Sequence, residues 1–348
     1  MSIQFMDNFQ FYGTSTSNML DGLPWSAVIG SLTTDPDPNA SGNVLRLSSS
    51  ANNSNTTDTR LSLPSVTDKV GCGMRFYMGS LPSSSGVRPV VLGYRDLSNS
   101  KIYDWIIETN GSLSLYEGSG TLIATTTNPV MAPRSWFHYE FYVDLGAGTY
   151  EARIEGVTVL SGSGLTSLQN VYLVGMSPRQ NLNSNTSSQD YIKDFILWDA
   201  SGSNNNTFLG PVAVFLLKVN SDVSSGWTRS TGITDYQLLD ETAPDDADYI
   251  SANSTPPAAS IMTLEDLGSE IVGVRGLQMM ARAKKSDGGD ATLQLSMLSG
   301  AAEDLGATHA VTTGYKYWWD ISELDPDTGS LWDPLAVNDA MIKINRTV

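Results

Sequence analysis

Glu140 and Asp144 are the side chains whose type and spacing come closest to chemistry. They sit four residues apart in Trp136-Phe-His-Tyr-Glu-Phe-Tyr-Val-Asp144, the strongest strand-like run in the chain. On a strand, alternation sends Trp136, His138, Glu140 and Asp144 to one face. Two carboxyls about 5 Å apart, beside an aromatic, are what a retaining glycosidase needs. The competing and favoured reading is an ordinary solvated strand face, with His138 a sheet residue satisfied by a neighbour. The only other histidine, His309 in Ala307-Thr-His-Ala, has no catalytic neighbour in sequence. No G-x-S-x-G string occurs, so none of the 44 serines is marked as a nucleophile.

Acidic turns could hold calcium, which takes six to eight oxygens. Asp35-Pro-Asp37-Pro-Asn39, Asp245-Asp-Ala-Asp248 and Asp325-Pro-Asp327 are the candidates, with Asp35, Asp37, Asp245 and Asp248 the potential ligands. None has EF-hand spacing, and Asp beside Pro or Gly is an ordinary turn former. The favoured reading is plain turns, an Asx-turn at Asp325, and no cofactor, with calcium as the alternative. Gly71-Cys-Gly73 and Gly146-Ala-Gly148 open no helix, so neither is a phosphate loop. Cys72 is the single cysteine, which rules out an intrachain disulfide.

Exposed aromatic faces bind sugars by stacking. Trp25, Tyr94, Tyr103, Trp105 and Tyr116 fall near strand ends or turns and, with Trp136, His138 and Glu140, form the candidate ligand-binding set; Tyr77 and Tyr172 are further possibilities. Any one large aromatic in a β protein is more often core. Tyr315, Tyr317, Trp318 and Trp319 are the candidate interface residues. Alternation turns Trp318 and Trp319 to opposite sides, so one of them is expected to face outward, as aromatics at interfaces do.

These residues must be positioned by strands. Val70–Met78, Val87–Tyr94, Trp105–Thr109, Leu113–Tyr116, Trp136–Val143, Thr149–Ile154, Val157–Leu160, Val171–Val174 and Tyr191–Trp198 all read as β, with a Ser-rich turn at Ser83–Gly86 and a hairpin at Asn110-Gly111. No amphipathic helix exceeds two turns. Beyond the polar break Ser201-Gly-Ser-Asn-Asn-Asn-Thr207 come Val212–Val219, Tyr249–Ser251, Ile271–Ala283, Thr292–Leu298, Tyr315–Trp319 and Ala340–Ile344, with a helical turn at most at Thr263–Leu267 and Met279-Met280 as core. Two domains follow, 1–203 and 204–348.

Composition narrows the partners. The 348 residues hold 16% charged side chains against 44 Ser, 30 Thr and 21 Asn, and the net charge is −17. Such acidity repels phosphate backbones and anionic membranes, so neither nucleic acid nor a membrane is an expected partner. No stretch approaches membrane-spanning length and the first residues lack a signal-peptide pattern, which points to synthesis in a reducing cytoplasm.

Two resemblances go further. Trp136-Phe-His-Tyr-Glu-Phe, then Tyr150-Glu-Ala-Arg-Ile-Glu-Gly156, then Tyr191-Ile-Lys-Asp-Phe-Ile-Leu-Trp-Asp199 resemble the ordered strands of concanavalin-A-like jelly rolls of the laminin-G type, over about residues 5–200. Asp194–Asp199, Phe208-Leu-Gly-Pro211, Trp227–Gly232, Asp240–Ser251 and Asp325–Trp332 resemble minor structural proteins of tailed bacteriophages. The resemblances imply an all-β chain, a concanavalin-A-like jelly-roll sandwich followed by a second antiparallel β-sandwich. They also imply a virion component, a fibre, spike or capsid decoration, that contacts other virion proteins and a host-surface glycan, as a homo-oligomer and without catalysis. A glycan-degrading enzyme and a ligand-free scaffold are the alternatives.

Overall fold

In the computed structural model, the described residues are 2–12, 24–27, 33–38, 43–47, 59–82, 89–167, 169–177, 190–252 and 258–348. Two compact units divide at Val214/Phe215, with Gln10–Gly13 grouping with the second. The polar stretch 201–207, expected as the boundary at 203/204, belongs to the first.

The first unit carries strands β1 (Ile3–Asp7), β2 (Trp25–Ala27), β3 (Thr33–Pro36), β4 (Asn43–Leu47), β5 (Thr59–Thr67), β6 (Lys69–Met78), β7 (Val90–Arg95) and β8 (Lys101–Ile107). It continues with β9 (Leu113–Glu117), β10 (Leu122–Thr125), β11 (Trp136–Asp144), β12 (Thr149–Ile154), β13 (Val157–Ser163), β14 (Val171–Ser177) and β15 (Asp190–Asp199). One sheet runs β13-β12-β11-β6-β15-β4-β3, with β1 also on β15; the other runs β10-β9-β8-β7-β14-β5-β2. All the pairings are antiparallel, and the result is the expected jelly-roll sandwich. Its layers meet through aromatics: Trp105 of β8 lies 5.3 Å from Phe141 of β11, and Trp25 of β2 lies 5.1 Å from Phe195 of β15. The β8–β9 hairpin turns at Asn110-Gly111, where Gly111 has φ +84° and Asn110 Oδ1 accepts the Ser112 N–H at 3.0 Å. The turn expected at Ser83–Gly86 lies outside the described residues.

The second unit holds β16 (Val219–Ser224), β17 (Thr228–Arg229), β18 (Ile250–Ser251), β19 (Ala258–Leu264), β20 (Leu277–Ala283), β21 (Thr292–Ser299), β22 (Ala302–Ala310), β23 (Lys316–Ser322) and β24 (Met341–Arg346), with one short helix, α1 (Pro334–Asn338). A five-stranded sheet, β16-β19-β24-β21-β22, shares its core with the two-stranded ribbon β20–β23; Met262, Met279, Leu295, Met297 and Trp332 are all buried there. Three expectations change. Residues 271–276 are loop, with Val272 almost fully exposed, so the long run shortens to β20. The strand expected at Val212–Val219 has no ladder before Val219, and Thr263–Leu267 begins as the end of β19 rather than as a helical turn.

Two glycines in the middle of β6 explain how a tryptophan can lie flat on a sheet. Val70, Cys72 and Met74 point into the sandwich, while Gly71 and Gly73 leave the opposite surface bare. The indole of Trp198, opposite Gly71 on β15, occupies that space; a Cβ at Gly71 would fall inside its ring system. Overpacking of this kind costs roughly 1–3 kcal/mol. Gly71→Ala is therefore expected to lower the unfolding free energy by that amount, read as a fall in the urea midpoint at unchanged slope. Adding Trp198→Leu to Gly71→Ala should cost less than the two single changes summed, and strict additivity would show that the two do not meet.

Candidate functional site

The face of β11 that carries Trp136, His138, Glu140 and Asp144 is not a solvated face at its centre. His138 and Glu140 are each 1% exposed. Glu140 is covered by residues 201–214, which leave β15 and cross the sheet as a strap. The Glu140 Oε1 accepts two successive strap N–H groups, Leu209 at 2.7 Å and Gly210 at 2.9 Å. Further along, Asp194 Oδ1 accepts the Val214 N–H at 3.0 Å, and Asn8 Nδ2 reaches the Val214 carbonyl at 3.4 Å. Asp194 sits at φ +53° in the irregularity where β15 shifts register against β6, which is what lets it address the strap. Burial pushes its carboxyl up, partly countered by the Val214 N–H and by Arg75. Phe208 is the apolar anchor, 5.9 Å from Tyr142 and 6.4 Å from Trp198, with the Arg153 guanidinium 3.8 Å from its ring centre.

The carboxylate pair therefore does structural work. Glu140 is occupied by the strap. Asp144 accepts the Ala147 N–H at 2.8 Å within the Gly146–Gly148 turn and lies 3.4 Å from Lys69 Nζ. His138 lies over Gly73 beside Trp198, with neither ring nitrogen bonded among the described residues, contrary to the expected satisfying neighbour.

Where the strap stands off the outer strands β12 and β13, it leaves a groove of about 450 Å³ lined by Tyr142, Thr149, Glu151, Arg153, Asn206 and Phe208, among others. Glu151 Oε1 accepts from Arg153 Nε and from Thr158 Oγ1, each at 2.7 Å, so a carboxylate and a guanidinium are held side by side on the wall. Hydroxyls, an amide, an ion pair and two half-buried rings converge on a space large enough for a small ligand. None of these residues was singled out as a candidate from sequence. Tyr142 and Arg153 were legible as face residues of their strands, but only the strap makes them a wall.

On the other side of the strap lies a second cluster. The half-buried Trp136 donates its indole N–H to Asp37 Oδ1 at 3.2 Å, and Lys193 Nζ lies 2.6 Å from Asp37 Oδ2 and 4.5 Å from the Trp136 ring centre. Asp37, proposed as a calcium ligand, is thus a buried acceptor for two protein donors. Asp35 lies on β3 with its side chain outside the described residues, as is Asn39.

The remaining candidates separate. Trp25, Tyr94, Tyr103 and Trp105 are buried in the sandwich and offer no face to a sugar: the Trp25 N–H is spent on Asp7 at 2.7 Å, and Tyr103 Oη accepts the Ser167 N–H at 2.8 Å. Tyr116 is half-buried and bonded to Glu108 at 2.8 Å. In the second unit, Tyr315 is flanked by Arg282 and Lys284, each 4.2 Å from its ring. Tyr317 is buried, and Trp318 and Trp319 are both only half-buried, so neither tryptophan stands outward as expected. Trp318 packs on the core and lies 5.3 Å from the His309 ring, whose Nε2 is 2.9 Å from Asp320 Oδ2, a pairing across β22 and β23 that sequence distance hides. Asp245 accepts the Ala247 N–H, and Asp325 accepts Asp327 N–H and Thr328 Oγ1–H, the expected Asx-turn. Among the described residues no three His, Cys, Asp or Glu side chains converge as metal ligands.

No family model matches the chain, and no curated protein matches it in sequence. Solved structures similar to part of this chain include the cellulose-induced protein Cip1, at TM-score 0.41 and 11% identity over 60% of this chain and 100% of that one. A carbohydrate-binding module, CBM66 of Bacillus subtilis, matches at TM-score 0.35 and 10% identity over 51% of this chain and 97% of that one. A sialidase matches at 0.38 and 10% over 50% of this chain, which spans only 17% of the sialidase's length. Likenesses of this size transfer no activity, ligand or site.

Burial, with the Arg75 charge as the smaller cause, lowers the His138 imidazole to about 4. In the unfolded chain it titrates near 6.5. Protonation between those values favours the unfolded state, so the stabilisation is complete above about pH 6.5 and is lost as pH falls toward 4. His138→Gln, which cannot titrate, is expected to lose less stability than the wild type over that interval, by up to about 1.4 kcal/mol per pH unit. Urea denaturation at stepped pH measures it; parallel curves would contradict the assignment.

Proposed function

We propose that the chain is a glycan-binding β-sandwich protein and that it binds without cutting. The observation that carries this reading is the groove beneath the strap. Its wall pairs the Glu151 carboxylate with the Arg153 guanidinium, a combination that can hydrogen-bond vicinal hydroxyls, and Tyr142 and Phe208 share that wall, with the guanidinium 3.8 Å over the Phe208 ring. Glu140 supports the non-catalytic part of this reading: hydrolysis of the retaining kind needs a proton donor and a nucleophile about 5 Å apart, and the carboxylate singled out for that role accepts two backbone N–H groups instead.

The finer reading is that this protein decorates a tailed-phage particle and holds a bacterial surface glycan, alongside other virion proteins. It is supported by the resemblance of the 194–348 segments and by a Ser-, Thr- and Asn-rich composition suited to uncharged hydrogen bonding. Weak single sites of this type gain strength when several copies are displayed together, which is how a homo-oligomer would serve it.

Surface plasmon resonance of the full chain over a panel of purified bacterial capsular and lipopolysaccharide glycans tests the reading. At least one glycan is expected to bind, and Tyr142→Ala and Arg153→Ala are each expected to weaken it tenfold or more while the far-ultraviolet spectrum is unchanged. Silence over the panel, affinity unaltered in both variants, or release of oligosaccharide would each overturn it.

A further inference from the structure

Register places seven side chains in two adjacent rows on the sheet face at the far side of the strap from the groove. Trp136, Tyr77, Tyr191 and Arg46 stand opposite one another on β11, β6, β15 and β4. Two residues along the same strands, His138, Arg75 and Lys193 form the next row. The first row is aromatic, with Trp136 to Tyr77 at 5.5 Å and Tyr77 to Tyr191 at 5.8 Å between ring centres; both tyrosines are buried, and of the three rings only that of Trp136 is half-exposed. The second carries two cations, Arg75 and Lys193, with His138 buried beside them.

The carboxylates nearby lie beneath the cations. In the Lys193–Asp37 pair the lysine side chain is 20% exposed and the aspartate 2%; in the Arg75–Asp194 pair, whose closest atoms are 3.5 Å apart, the values are 39% and 11%. Asp194 is further engaged by the Val214 N–H, and Glu155 is turned to the backbone N–H of His138 at 2.7 Å. Solvent therefore meets ammonium and guanidinium next to a half-buried indole, in a chain whose net charge is −17. Beside Arg75, the buried His138 keeps two ring nitrogens without a partner among the described residues.

We propose that these rows form a second saccharide site, distinct from the groove, which takes a sugar bearing a carboxylate. The pyranose ring lies against Trp136, and its carboxylate is held by Arg75 and Lys193. A guanidinium binds a carboxylate through paired hydrogen bonds, and a ring face on an indole sets which side of the sugar is presented. The long-range field of an acidic chain repels polyanions, so binding depends on local contacts.

Isothermal titration of the full chain at low salt, with polygalacturonate and with its fully methyl-esterified form as probes, decides the matter. The two polymers share a backbone and differ in whether the carboxylates are masked. Polygalacturonate is expected to bind at least tenfold more tightly than the ester. An Arg75→Gln, Lys193→Gln double variant is expected to lose tenfold or more, and Lys284→Gln, in the second unit, nothing. No binding of polygalacturonate, equal binding of the ester, a double variant that binds like wild type, loss in Lys284→Gln, or equal competition by polyglutamate would each overturn the proposal. The groove reading is judged separately, by its own variants.

Discussion

One buried carboxylate organises the first unit's working face. Glu140 projects from the middle of the jelly-roll sheet into a region that water does not reach, where an unpartnered charge is costly. The backbone N–H groups of Leu209 and Gly210 offset that cost with two short, charge-assisted hydrogen bonds. The same bonds satisfy strap N–H groups that have no ladder partner. From this contact the rest follows in order: the strap lies across β11 and β15, Phe208 meets Arg153 and Tyr142, the groove opens toward β12 and β13, and the aromatic and basic rows remain on the other side.

The glycine pattern of β6 is the second half of the same arrangement. Trp198 can lie flat only because Gly71 has no side chain, and it forms part of the floor on which Phe208 rests. A sheet face that ordinary alternation would leave to solvent becomes a buried layer. The Arg75–Asp194 and Lys193–Asp37 pairs complete it, each with its carboxylate inward and its cation outward. The surface so divided has one polar recess holding an ion pair and, elsewhere on the same face, a half-buried indole beside two cations.

Much of the fold was legible in the chain. The period-two pattern of Trp136–Asp144, the Asn110-Gly111 turn and the order of the later strands are local properties, and they emerged as read. The strap was not, because Ser201–Thr207 has the composition of a linker and its anchoring depends on Glu140, about seventy residues earlier. β22 was not read as a strand because Ala-Glu-Asp-Leu-Gly-Ala-Thr-His-Ala has a single β-branched residue, Thr308, and no regular apolar alternation; it is held as an exposed edge by its pairing with β21. The aromatics divide for a physical reason: Tyr103 and Trp105 fill the space between layers, whereas Trp136 lies on the outer face of β11 and stays half-exposed. Alternation tells which residues share a face; only tertiary structure tells which face is covered.

Amide hydrogen exchange, resolved at Leu209 and Gly210 in the wild type and in Glu140→Ala, tests the central claim most directly. These two amides are expected to be strongly protected in the wild type and to exchange at least a hundredfold faster in the variant, while amides in β6 and β8 stay protected. Fast exchange at both positions in the wild type, or protection that the substitution leaves unchanged, would contradict a strap held by the Glu140 carboxylate.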